Sequence, residues 1–249
     1  MRFVLVHGGY HGAWCWEKLT PHLKKMGHDA VAIDLPGCGE RLDEPATFSA
    51  WRCALCEVID HGDVLVGHSM GGFAISLGAD EVPEKVARLI YLSAAVPAEG
   101  KTMSAATDEN VANEWPETVG LAYEDFLEVV DVPNQGPCVR LSRQDAANTL
   151  FYHDCTPEDQ DWAWERLTPL PLALTSEVFR LPRFWNAPIP RDFIVTSDDH
   201  SHSAALDNAF MRRLGIATAF SIVSSHSPFM SRPEETATVL NACARGVLH

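Results

Sequence analysis

Asp63-Val64-Leu65-Val66-Gly67-His68-Ser69-Met70-Gly71-Gly72 is the stretch on which the fold of this chain turns. Its first half is a short apolar run of the kind buried on both faces of a parallel sheet. Its second half is G-x-S-x-G, opening into helical spacing over residues 73–79. At such an elbow the serine is held in a strained conformation, while glycines two residues to either side leave room for a close strand–helix crossing. The helix that follows aims its free N–H groups at developing negative charge, so the Met70 amide is an expected oxyanion donor. A glycine-rich turn with a capping serine is the plainer reading, and the buried strand directly before it argues the other way.

Working outward, apolar runs bounded by turn residues recur at 3–6, 30–33, 64–66, 89–92, 193–195 and 219–223, with helical spacing between them at 16–26, 48–59, 73–79, 205–214 and 234–247. This alternation predicts an α/β fold with a mostly parallel sheet of about six strands flanked by helices. It breaks between residues 97 and 182, where acidic, Trp-bearing, Pro-punctuated sequence shows no strand pattern. The expected organisation is therefore a core of residues 1–96 and 183–249 interrupted by a helical cap, 97–182. Cap helices are expected at 123–130, 143–151 and 157–167, the last opened by Thr156 as N-cap and Pro157 at the first helical position.

The first strand ends in His7-Gly8-Gly9-Tyr10, where small residues let the main chain approach the substrate of Ser69, and the Gly9 amide is the expected second oxyanion donor. In this fold the triad runs Ser, then acid after a later strand, then His near the end. His226 follows the last apolar run in Ser224-Ser225-His226-Ser227-Pro228 and fits the base. His7 and His68, beside the elbow in sequence, are read as structural. After the strand ending at Thr196 come Asp198 and Asp199, and either carboxylate could accept the His226 Nδ1 proton. Asp198 falls two residues into the loop above the sheet edge, where open α/β sheets place their sites. Asp199 suits the cap of a helix starting near Ser201 or Ala204. Asp198 is accordingly the expected acid.

A formal charge of −15, without a run of Lys or Arg longer than Lys24-Lys25, disfavours nucleic acid and anionic membranes as partners. No stretch approaches the ~18 apolar residues of a membrane span, and a cytoplasmic protein is expected. Seven scattered cysteines, including Cys53-x-x-Cys56, read as buried free thiols rather than a disulfide framework or zinc site. The cluster Asp198, Asp199, His200 and His202 contains metal-ligand residue types, but no partnering cluster is evident along the chain. No metal or cofactor is expected.

The segments His7-Gly8-Gly9, His11-Gly12-Ala13-Trp14-Cys15-Trp16, Ala32-Ile33-Asp34-Leu35-Pro36-Gly37-Cys38-Gly39 and Gly67-His68-Ser69-Met70-Gly71-Gly72 resemble the α/β-hydrolase family of plant methyl-ester esterases and hydroxynitrile lyases, with its bacterial esterase relatives. Tyr152-His153-Asp154-Cys155-Thr156-Pro157-Glu158-Asp159 resembles a cap segment of the bacterial members. The resemblance implies Ser69, Asp198 and His226 as triad, with the Gly9 and Met70 amides as oxyanion hole. The lyases carry a lysine after the triad histidine and a threonine after the first-strand histidine, where this chain has Ser227 and Gly8. Both departures favour the esterase branch.

The expected activity is serine hydrolysis of a small, largely apolar carboxylic ester through an acyl-enzyme. Tyr10, Trp115, Phe126, Phe151 and Trp164 are the expected pocket residues. A non-catalytic small-ligand receptor of the same fold and a lyase are the alternatives. The expected partner is a small-molecule ester, with homodimer formation left open.

Overall fold

In the computed structural model, residues 1–107 and 125–246 are described. The chain begins β1 (Arg2–Val6), α1 (Thr20–Lys25), β2 (Asp29–Ile33), α2 (Phe48–Val58), β3 (Asp63–His68), α3 (Gly71–Glu81), β4 (Val86–Leu92) and α4 (Met103–Thr107). The cap segment supplies β5 (Leu127–Val132), β6 (Gly136–Leu141), α5 (Gln144–Ala147), a π-helical turn Asn148–Tyr152, α6 (Pro157–Trp164) and β7 (Leu170–Pro171). The chain then returns through β8 (Arg191–Thr196), α7 (Ala204–Leu214), β9 (Phe220–Ile222), α8 (Pro228–Ser231) and α9 (Pro233–Ala244).

Six strands form one sheet in the order β2-β1-β3-β4-β8-β9, every neighbouring pair parallel. Alternation of side chains along each strand feeds two separate cores. Val4, Val6 and Leu65 pack with Leu55, Phe73 and Phe210 on one face. Phe3, Leu5, Val64 and Val66 pack with Leu23, Leu240 and Phe229 on the other. Because both faces are covered, the strands read as continuous apolar runs rather than alternating ones. Each fully buried Leu or Phe here contributes roughly 1.5–3 kcal/mol of transfer free energy. The parallel order also brings the loops after β1, β3, β8 and β9 to one edge of the sheet, so Gly9, Ser69, Asp199 and His226 approach one another from distant parts of the sequence.

The cap departs from the expected all-helical form. β5, β6 and β7 make an antiparallel sheet of three strands. The expected helix at 123–130 is replaced by β5 over its described part, with Leu127 paired to Leu141 and Val132 to Gly136. The hairpin turns through Asn134 at φ 65° and Gly136 at φ 70°, both left-handed, which suit Asn and Gly. The helix expected at 143–151 divides into α5 and the π-helical turn. The helix expected at 157–167 forms as α6, ending at Trp164, with Thr156 Oγ1 accepting from the Asp159 amide at 3.3 Å.

All seven cysteines are free thiols, but Cys53 is exposed and Cys56 half-buried on α2, and Cys155 is half-buried, contrary to the expectation of burial. Among the described residues no helix is long and apolar enough to cross a membrane.

Candidate active site

Ser69 sits between β3 and α3 with φ 51°, a left-handed conformation strained for a residue with a side chain. Its backbone is held on both sides: its amide donates to Leu92 O at 3.3 Å, and its carbonyl accepts from Gly72 N at 3.1 Å and Ala95 N at 2.9 Å. The flanking glycines are demanded by contact. A Cβ on Gly67 would lie 2.6 Å from Gly71 O, and one on Gly71 would lie 2.5 Å from Val6 O. At Gly8 an added Cβ would come within 2.8 Å of Ser69 Cβ, so a threonine there needs a displaced elbow.

His226 is buried and donates from Nδ1 to Asp199 Oδ2 at 2.7 Å. Asp198, the acid expected from the sequence, is not its partner; its side chain is 61% exposed, and Oδ2 lies 3.9 Å from His153 Nδ1. The strand ends where the sequence predicts, since β8 stops at Thr196. The difference lies in the turn. The Asp198 amide donates to Ser224 O at 3.2 Å, which anchors that residue's backbone to the His226 loop while its side chain points outward. Asp199 then turns inward, and its Oδ1 accepts from the amides of Ser201 (2.6 Å) and His202 (2.9 Å). The expected helix-capping role falls instead to Ser203, whose Oγ accepts from Leu206 N.

Asp199 Oδ2 also accepts from Thr196 Oγ1 at 2.6 Å, and Thr196 Oγ1 is bonded to Ser93 Oγ at 2.5 Å. Burial alone would raise the carboxyl pKa. The charge and hydrogen bond of His226, the charge of His202 and the Thr196 hydroxyl together outweigh burial and hold Asp199 well below the usual carboxylate range. Asp199 is thus an anion bonded to one imidazole nitrogen of His226, leaving Nε2 free of that bond.

The neighbouring histidines support the main chain. His68 Nε2 donates to His226 O at 2.9 Å, tying the His226 loop to the elbow. His7 bridges Gly8 O, 2.8 Å from Nδ1, and the Leu35 amide, 3.2 Å from Nε2. Tyr152 donates to His11 Nε2 at 2.6 Å, and His11 Nδ1 donates to Gly9 O at 2.7 Å, so the cap braces the loop that presents the Gly9 amide. Burial lowers the pKa of all three, to about 3 for His11, where nearby His7 and His226 add to the effect.

Ser69, His226, Gly9 and Met70 line one cavity of about 500 Å³. Of the expected pocket residues, Tyr10, Phe126 and Phe151 also line it. Trp164 is not among the cavity-lining residues; it is half-buried and packs against the hydrophobic cluster that also holds Phe151, Tyr152 and Ala163. Trp115 lies outside the described residues. The sequence reading missed the aliphatic wall of Leu127, Leu141, Leu150 and Leu170, because half of it comes from the unforeseen cap hairpin. It also missed His202, whose Nδ1 lies 3.1 Å from Asp207 Oδ1 and whose ring centroid is 5.1 Å from that of His226. Burial opposes the charged form of His202, but the hydrogen bond and charge of Asp207, aided by Asp199, raise its pKa.

Known proteins align over nearly the whole chain. Norfluorocurarine synthase 2 of Strychnos sp is 31% identical over 245 residues, 94% of this chain and 91% of that protein. Methylesterase 18 of Arabidopsis thaliana is 30% identical over 253 residues, 94% of this chain and 93% of that protein. The crystal structure of polyneuridine aldehyde esterase superposes with a TM-score of 0.81 at 27% identity, covering 99% of this chain and 98% of that one. Residues 3–239 match the profile of the alpha/beta hydrolase family, and the chain belongs to that family.

Proposed function

We propose that this protein is a carboxylic ester hydrolase in which Ser69 is the nucleophile, His226 the general base and Asp199 the orienting acid. The observation that carries the reading is the His226–Asp199 bond of 2.7 Å in the wall of a cavity that also holds Ser69 at a strained elbow. Relatives named as esterases point to the same reaction class.

In the first step His226 Nε2 takes the Ser69 proton as Oγ attacks the ester carbonyl, and Asp199 stabilises the imidazolium that forms. The tetrahedral oxyanion sits against the amides of Gly9 and Met70. His226 returns the proton to the leaving alcohol, water repeats the sequence on the acyl-enzyme, and the free acid departs.

The aliphatic and aromatic walls suit a small apolar acid or alcohol half, and a volume of about 500 Å³ accommodates a molecule of that class. Ser227 and Gly8 stand where lyases of the resembled branch carry lysine and threonine, which supports hydrolysis over cyanohydrin cleavage. The test is a panel of acyl and aryl esters assayed with the native protein and Ser69→Ala, together with fluorophosphonate labelling. Label on Ser69 and ester turnover abolished by Ser69→Ala are expected. An unlabelled serine and no turnover on any ester would leave a receptor as the better reading, and cyanide release from aromatic cyanohydrins would favour a lyase.

A further inference from the structure

Next to Asp199, and not among the residues that line the cavity, His153, Asp198 and His200 bring the cap against the core. His153 directly follows the π-helical turn of the cap, and Asp198 and His200 flank Asp199. The two imidazoles stack with centroids 4.0 Å apart and planes 21° from parallel. Each of the three residues offers one ligand atom, and these atoms lie within 4.8 Å of one another.

The hydrogen bonds of the two rings give this juxtaposition its chemistry. His153 Nε2 lies 2.8 Å from Asp198 O, and His200 Nδ1 lies 2.8 Å from Thr149 O. A main-chain carbonyl only accepts, so each of these nitrogens carries the proton, and in the neutral ring the other nitrogen keeps its lone pair. The available donors are therefore His153 Nδ1 and His200 Nε2, with the Asp198 carboxylate 3.9 Å from the first. A ring N–H spent on a backbone carbonyl with the second nitrogen left bare is the arrangement by which metal-ligating histidines are oriented.

We propose that His153, Asp198 and His200 form a binding site for a borderline divalent transition-metal ion such as Zn²⁺, clamping the cap to the loop that carries Asp199. Two imidazoles and one carboxylate match Zn²⁺ and its neighbours in the first transition row, whereas Ca²⁺ and Mg²⁺ require oxygen-rich sets. Bonds of about 2.0–2.2 Å in tetrahedral geometry separate ligand atoms by roughly 3.3 Å. Closing that gap takes a swing of the exposed Asp198 side chain and a splaying of the two stacked rings about their carbonyl bonds, which turns both in-plane lone pairs onto the ion, and water completes the coordination. The metal lies outside the cavity and takes no part in the proposed hydrolysis. Its effect is to join two segments some 45 residues apart, so binding stabilises the folded protein by linkage.

The test uses the full chain, stripped with chelator, dialysed and titrated calorimetrically with ZnCl₂, with thermal melts recorded alongside. The native protein is expected to bind one Zn²⁺ at this site and to gain at least ~3 °C in melting temperature at saturation. His153→Ala, His200→Ala and Asp198→Ala are each expected to weaken binding roughly tenfold or more, with the melting gain lost relative to each variant's own metal-free melt. CaCl₂ and MgCl₂ should produce no shift. Should an alanine variant fail to melt cooperatively, His153→Gln and His200→Gln replace it. Absence of Zn²⁺ binding up to ~1 mM, or unchanged affinity in either histidine variant, would overturn the proposal.

Discussion

At the scale of single residues, the proposed chemistry rests on side chains whose removal should be felt in turnover before it is felt in the fold. Ser69→Ala and His226→Ala are each expected to lower ester turnover by roughly 10³-fold or more, because members of a triad act as a unit. A cooperative urea transition near the native midpoint would show that the loss is chemical. The two adjacent aspartates make a sharper pair. Asp199→Asn replaces the carboxylate on His226 Nδ1 with an amide and favours the wrong tautomer, with an expected cost of about 10³–10⁴ in kcat. Asp198→Asn changes an exposed side chain and should stay within about threefold of native activity. The depressed pKa of Asp199 also carries a stability consequence. Its contribution is present above the unfolded carboxyl value of 3.8 and is lost as pH falls below that value toward the lower folded one.

At the scale of elements, the loops after β1 and β3 are held by buried histidines that stay neutral, and neutrality there makes the protein acid-sensitive. His7, His11 and His68 have folded pKa values below the model-peptide value of 6.5. The unfolded chain therefore binds protons that the folded chain refuses, and stability present above pH 6.5 is lost as pH falls. Each such histidine therefore destabilises the fold progressively as pH drops below 6.5. Urea midpoints measured at pH 7.5 and pH 5.5 should fall accordingly, and equal midpoints would contradict the assignment. His202 acts in the opposite sense, since its raised pKa gives stability that is complete below 6.5 and fades as pH rises through the folded value. The Tyr152–His11–Gly9 chain adds a kinetic expectation. Tyr152→Phe leaves His11 Nε2 without its donor and loosens the Gly9 loop, so kcat should drop about tenfold with KM little changed, read from steady-state kinetics.

At the scale of the whole molecule, the six-stranded sheet is the rigid body that makes these distances reproducible, and its two cores set the stability margin. Phe193 is fully buried on β8, between β4 and β9, with its ring parallel to that of Tyr91 at 6.4 Å. Phe193→Ala should cost about 3–5 kcal/mol in denaturant unfolding, through lost transfer energy and the cavity left behind. The sequence alone determined the sheet strands, the elbow at Ser69 and the position of the His226 loop. Those features are local: a buried run, a glycine spaced to avoid a backbone clash, and a fixed order along the chain leave their marks in consecutive residues. The cap hairpin went unread: Asn134 and Gly136 suit its turn, but the period of residues 127–132 alone does not separate strand from helix, and a helix was expected there. Only the tertiary structure decided between Asp198 and Asp199. The direction of each carboxylate depends on bonds to Ser224 and His226, some 26 residues further along, and on Thr196 and Ser93 beneath them. The same is true of Trp164, whose spacing gave no sign that it stays out of the cavity lining, because which helix face meets the cavity is set by the elements α6 packs on and not by the helix itself.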